Sequence, residues 1–240
     1  IIKELGWELN DYLERIQQSA LFDWLNDGTS QSVQASFNIS YTNLPNDSIK
    51  HTFRALGIFP QSSFSSSLVA YTLGISNSEA EHRILVLIRH GLIESDEVTT
   101  RRFRIHPLLH RFAEKLVKDR HEYKTLHLSA GHYYRSKISR WDEANKIFLA
   151  YEGFVTTEDV ESGLSAAFHY LRAGEYAITQ DVLALIANTF SLHGNELILA
   201  ARIQELANFT ELTPWLQLYL AEMIVEGKAK GEMNVSMAIS

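Results

Sequence analysis

Read for where apolar side chains recur, the chain is helical almost throughout, with one break in the pattern. Leu9, Tyr12, Leu13, Ile16, Leu21 and Leu25 keep helical spacing and predict a helix over 3–25. Val33, Phe37 and Tyr41 predict a second over 30–42. "NDSIKHTFRALGIF" (46–59) opens on a cap cluster, carries Ile49, Phe53 and Leu56, and stops at Gly57 ahead of Pro60. "SFSSSLVAYTLG" (63–74) and "NSEAEHRILVLIRHG" (77–91) predict two more helices, each closed by a glycine. The period then shifts from helical to alternating. "LIES" (92–95) and "RRFRIH" (101–106) read as strands around a short polar loop, with Phe103 and Ile105 on one face and Arg102 and Arg104 on the other.

"HPLLHRFAEKLVKDR" (106–120) returns to helix, with Pro107 at the first helical position, where its missing N–H is harmless. Beyond residue 125 the pattern offers no further strand. Helices are expected over 126–138, 158–174, 177–194, 196–207 and 213–231, broken at "AGEYA" and "HGNEL" as in antiparallel pairs. The fold class expected is therefore mainly α. Three helices, a small β-hairpin and a further helix have the plan of a winged-helix domain, followed by an α-helical, TPR-like repeat region. The domain expectation is 1–28 as the end of a preceding helical subdomain, 29–120 as the winged helix, and 121–240 as the repeat region.

Composition changes this picture little. The 240 residues are 45% hydrophobic and 21% charged, normal for a globular chain, and the absence of cysteine removes disulfides and thiolate metal sites. No apolar run reaches the roughly 18 residues needed to span a bilayer, so no membrane partner is expected. The start resembles no signal peptide and lacks an initiator methionine. The expectation is a cytoplasmic piece of a longer protein.

Charge is more informative. The net −7 is uneven: residues 151–240 hold four basic and twelve acidic side chains, whereas 46–120 hold eleven basic and eight acidic. Only the centre would tolerate a phosphate backbone. Arg101, Arg102 and Arg104, with Arg83 and Arg89, are the candidate DNA contacts, but Glu79 and Glu81 sit where a reading helix would meet bases. DNA is accordingly not the expected partner. A solvated charged face is the plainer reading.

The order "SVQASFNISYTNLPNDSIKHTFRALGIFP", "LVLIRHGLIE", "RFRIHPLLHRFAEKL" resembles the winged-helix segment of NB-ARC-type STAND NTPases, the signal-transduction ATPases that include apoptotic and plant immune switches. The match covers roughly 30–120. Helix 3–25 resembles the end of the helical domain that precedes this segment, and the acidic helices after 125 resemble the repeats that follow it. The resemblance implies that His106, inside "RIHPL", holds the place of the family's histidine that contacts an ADP phosphate in the closed state. Ile105 stands for the methionine of that motif. Pro107 and Leu108 depart from its acidic position, so no role for an acid carries over.

The local chemistry agrees independently, since a helix N-terminus offers free N–H groups and the positive end of the dipole. The plainer alternative is that His106 only caps the helix and packs under the wing. The phosphate-loop pattern G-x-x-x-x-G-K-[ST] is absent. No catalytic site and no cofactor are therefore expected within this chain; ADP or ATP with Mg belongs to the intact protein, on a nucleotide-binding domain upstream.

The remaining candidates are weaker. His106 and His110 are spaced as zinc ligands can be but lack a third ligand and the glutamate of H-E-x-x-H. His127 and His132 fit a core or solvent-facing role. Ser62–Ser67 reads as a loop and cap, and Glu158, Asp159 and Glu161 as a solvated acidic face. The expected partners are the upstream nucleotide-binding domain, a protein or peptide trigger on the helical repeats, and further copies in a homo-oligomer. The function so implied is that of a regulatory segment: the winged helix senses ADP or ATP and controls opening and oligomerisation. The alternative is a winged-helix DNA-binding transcriptional regulator with a helical-repeat interaction domain.

Overall fold

The computed structural model describes residues 31–59, 63–97, 102–118, 120–138, 141–142, 147–148, 157–190 and 196–225. The helix expected over 3–25, with the 1–28 subdomain, lies outside these residues, as do Ser62 and Arg101. The chain divides into two compact units, the first ending at Leu126 and the second beginning at His127.

In the first unit, local signals set the helix ends. Helix α1 (Gln31–Thr42) leads through a short turn to α2 (Asp47–Leu56), where Asn46 accepts the Ile49 N–H at 3.0 Å. Strand β1 is only Phe64–Ser65, and α3 follows directly over Ser66–Leu73, with the Ser65 hydroxyl capping the Leu68 N–H. Helix α4 (Asn77–Arg89) is capped by Ser76 at the Glu79 N–H, and Gly91 follows its end at φ +67°, a left-handed turn that suits glycine.

Strands β2 (Glu94–Glu97) and β3 (Arg102–Arg104) form the expected hairpin, and α5 is Pro107–Lys118. The sheet order is β1-β3-β2, antiparallel throughout. Residues 63–74 therefore do not form one helix, as the periodicity predicts. Phe64 pairs with Phe103 and Ser65 with Arg102 before the helix begins. The cause is tertiary: Phe64 is buried between Phe59 and Phe103, at ring separations of 5.9 and 6.1 Å, and the extended backbone delivers it there.

The core of this unit is aromatic. Phe53 and Phe112 are sealed, their rings 6.1 Å apart, and Phe37 and Tyr41 of α1 close over them. Beside this core Arg54 donates from Nε to Glu122 at 2.8 Å and from Nη1 to the Tyr41 hydroxyl at 2.9 Å, while His51 lies 3.5 Å from Glu122. Burial is the largest influence and works against the Glu122 charge, but the Arg54 hydrogen bond together with the charges of Arg54, His51 and Arg120 outweighs it and holds the carboxyl below its usual pKa. Arg54→Met removes both of these hydrogen bonds at a half-buried site. It should lower unfolding free energy by about 2 kcal/mol, read from the urea midpoint.

Helix α6 (Glu122–Lys137) contains the division between the units. A two-stranded ladder follows, β4 (Trp141–Asp142) with β5 (Ile147–Phe148), pairing Trp141 with Phe148 and Asp142 with Ile147. The sequence shows no strand after residue 125, because two residues per strand are too few for alternation to register. Four helices complete the second unit: α7 (Thr157–Arg172), α8 (Tyr176–Phe190), α9 (Glu196–Ala207) and α10 (Pro214–Val225).

A three-residue turn with Gly174 at φ +76° joins α7 to α8. Gly163 lets them approach closely, since a Cβ there would meet Ile186 Cδ1 at 2.5 Å. Gln180 of α8 pins the α9–α10 connection by donating to the Glu211 carbonyl and accepting the Thr213 N–H at 2.8 Å. Tyr170, Leu183, Leu199, Ile203, Leu206 and Leu216 are sealed at the centre of this unit. The described chain is thus mainly helical with a small antiparallel sheet, and no described helix is long and apolar enough to cross a membrane.

Candidate functional site

Two histidine environments stand out, one in each unit. The first is the junction between β3 and α5. Alternation along "RFRIH" leaves Arg102 and Arg104 exposed and buries Ile105 at 2% exposure. The chain then turns into α5 at Pro107, and His106 becomes the residue that caps the helix. Its Nδ1 accepts the Leu108 N–H at 3.3 Å, and its carbonyl accepts the His110 N–H at 2.9 Å. The ring is exposed. A neutral imidazole that accepts at Nδ1 carries its proton on Nε2. The geometry makes His106 a helix cap through Nδ1, and its ring is exposed and does not pack under the wing.

His110, one turn on, is 6% exposed and does not join His106. Its Nε2–H donates to the carbonyl of Phe59, tying α5 to the end of α2. Its Nδ1 has no hydrogen-bond partner among the described residues. The zinc spacing of the two histidines is thus not used together, and no group of three or more candidate metal ligands occurs among the described residues.

The arginines singled out as candidate DNA contacts have different surroundings. Arg83 Nε donates to Glu79 at 2.7 Å and Nη1 reaches the Ser48 carbonyl at 3.4 Å, so its side chain braces α4 against α2. Arg104 and Arg102 stand opposite Glu94 and Glu97 in the hairpin register, which places acidic residues beside the basic ones. Ser65 and Ser67 share a hydroxyl hydrogen bond of 2.9 Å at the start of α3, and Ser65 is a cap. Of the acidic residues on α7, Glu158 and Glu161 are exposed, but Asp159 is buried at 4% exposure and is not part of a solvated face.

The second environment is in the other unit. His127 of α6 and His169 of α7 meet Nδ1 to Nδ1 at 2.9 Å, at 2% and 0% exposure. One ring must donate and the other accept, so the accepting ring is neutral, and with both rings neutral the two carry opposite tautomers. Tyr134 stacks on His169 at 14°, and Phe168 meets it edge-on. Burial, with Arg172 adding to it, lowers the His127 pKa to about 3. Burial first, then His127 and Arg202, push His169 well below its ordinary value.

Arg172 and Arg202 both pair with Glu205 at 2.8 Å and both lie over the Phe168 ring. Alongside, the Tyr170 hydroxyl and His132 Nδ1 are 3.0 Å apart. His127 and His132 therefore both take structural places. His169, 42 positions from its partner, was not singled out by sequence reasoning. Its one local signal is its place inside the apolar run "SAAFHYL".

Set against known proteins, the chain matches no family model and no curated sequence.

Proposed function

We propose that this chain is the regulatory segment of a STAND-type signal-transduction NTPase, with residues 29–120 acting as its winged helix and 121–240 as a TPR-like helical-repeat region. The observation that carries the reading is His106. Its ring is exposed at the N-terminus of α5, and the Nδ1 cap leaves Nε2–H as the outward donor. A phosphate oxygen held by an upstream nucleotide-binding domain would accept from that nitrogen while meeting the positive end of the α5 dipole. The order of motifs around it supports the same reading, as does the three-helix and hairpin arrangement in which it sits.

In this proposal the segment closes over ADP, His106 reports the phosphate, and exchange for ATP with Mg releases it so that subunits assemble. The repeats bind the protein or peptide that triggers the exchange. A preference of ADP for the closed state by roughly 100-fold corresponds to about 2.7 kcal/mol, within reach of a few charge-assisted hydrogen bonds. A purely DNA-binding role has less support, because Arg83 is turned to internal work and the hairpin arginines face glutamates across the ladder.

The test is ADP binding by the intact protein. His106→Ala should weaken ADP roughly tenfold or more, the loss of one hydrogen bond to a charged group. His106→Asn keeps a good capping acceptor, so it separates the two roles. It should restore the thermal stability that the alanine variant loses and still bind ADP more weakly than wild type. Unchanged ADP affinity in both variants would sink the assignment.

A further inference from the structure

We infer that the buried imidazole pair His127–His169 is an acid-sensitive latch: it holds α6 against α7 while neutral, and protonation releases the stretch 127–137 of α6 while α7 to α10 stay folded. The inference is independent of the nucleotide reading. Its test involves no nucleotide, so it can fail while the His106 assignment stands.

The helices α7 to α10 make a core of their own. Tyr170, Leu183, Leu199 and Leu216 are sealed in it, and among the described residues none of its buried members comes from α6. Helix α6 offers that core only Leu128 and Tyr134, both partly buried. Gly131 lies against the Tyr170 ring with no side chain of its own to bury. Polar and aromatic side chains tie α6 down further. His127 meets His169 Nδ1 to Nδ1 at 2.9 Å, Tyr134 stacks on the His169 ring, and His132 Nδ1 lies 3.0 Å from the Tyr170 hydroxyl. Two of these three ties end on the sealed ring of His169. A helix fastened in this way can come away without opening the core beneath it.

With both rings neutral, one proton is shared along the Nδ1–Nδ1 bond. A further proton makes an imidazolium in a site closed to water, and a second sets N–H against N–H and breaks the bond. The surrounding charges oppose both steps. Arg172 of α7 acts on His127 and Arg202 of α9 on His169. Glu205 of α9 turns one oxygen to each arginine at 2.8 Å, one negative charge against two positive. Tyr134 of α6 presents the face of its ring. Asp159, also buried on α7, is ten positions from His169, about 15 Å along the helix. Protons therefore add when the rings separate and reach water, where an imidazole titrates near 6.5. Acid favours the separated state for that reason.

Between pH 7.5 and pH 5 His127 alone should multiply the opening constant of α6 by about 30, and His169 multiplies it further. The experiment is amide hydrogen exchange on the full 240-residue chain, read by mass spectrometry at both pH values with times scaled for intrinsic exchange. Peptides from 127–137 should lose protection on acidification, and those from α8, α9 and α10 should keep theirs. His127→Leu/His169→Phe, which cannot take up a proton at either position, should abolish the acid response of 127–137. If that variant does not fold, His127→Gln retains one titrating ring and should show a smaller response than wild type. Unchanged protection of 127–137 at pH 5 overturns the inference. So does a simultaneous loss across α6 to α10, which is unfolding of the whole unit, and so does an acid response that these variants keep in full.

Discussion

Gly57→Ala is expected to destabilise the first unit by about 3 kcal/mol, the upper range for forcing atoms into a packed interior. A Cβ at this position would lie 2.3 Å from the backbone nitrogen of Glu114 and 2.4 Å from the carbonyl carbon of Ala113. These are main-chain atoms of α5, held by the helix's own hydrogen bonds, so no side-chain rotation can relieve the overlap. α5 would have to move off α2, opening the contact between Phe53 and Phe112 and lengthening the His110 hydrogen bond to Phe59.

Gly91→Ala is the control. Gly91 has φ +67° but open space around its Cβ, so alanine there meets only the left-handed backbone cost, about 1 kcal/mol. Urea unfolding followed through the first unit should rank Gly57→Ala well below Gly91→Ala. Equal midpoints would mean that α2 and α5 do not approach as closely as described.

The second unit should lose stability on mild acidification. In the unfolded chain His127 and His169 titrate near the ordinary value, about 6.5. In the folded chain both stay neutral to much lower pH, His127 down to about 3. The unfolded state therefore binds more protons between these limits, and stability rises with pH there. The neutral pair contributes in full above pH 6.5, and its contribution is lost progressively as pH falls from 6.5 toward 3.

For His127 alone the loss at pH 5 is about 2 kcal/mol, at about 1.4 kcal/mol per pH unit. His169 adds a loss of the same sign. Thermal unfolding at pH 7.5 and pH 5 should show the second unit's transition falling steeply. His127→Leu/His169→Phe, which replaces the pair with apolar side chains, should flatten that dependence whatever it does to the neutral-pH midpoint. Imidazole proton resonances that titrate near 6.5 for these two residues in the folded protein would contradict the prediction. So would a pH profile that the double variant leaves unchanged.

The features readable along the chain are those whose cause is local. Asn46, Ser65 and Ser76 satisfy N–H groups three residues ahead, and Gly91 and Gly174 relieve a backbone angle at their own position. Each can be found by looking a few residues either way. His106 belongs with them, because its place at a strand-to-helix junction follows from alternation giving way to Pro107. Gly57 shows where such reading stops. It does end a helix, as its type suggests, but its φ of −67° needs no glycine. What requires glycine is the backbone of α5, more than fifty residues away.

What the sequence by itself determined is thus the helical period of most of the chain, the presence of a hairpin between Gly91 and Pro107, and the caps and glycines that close several helices. These follow from hydrogen bonds and burial preferences that act within a turn or two. Only the tertiary structure decided that Phe64 leaves its helix to pair with Phe103, that Gly57 lies against the Ala113–Glu114 backbone, and that His127 and His169 share one buried proton. Those outcomes depend on which surfaces exclude water together. A single chain position carries no record of its distant neighbour until packing brings the two into contact.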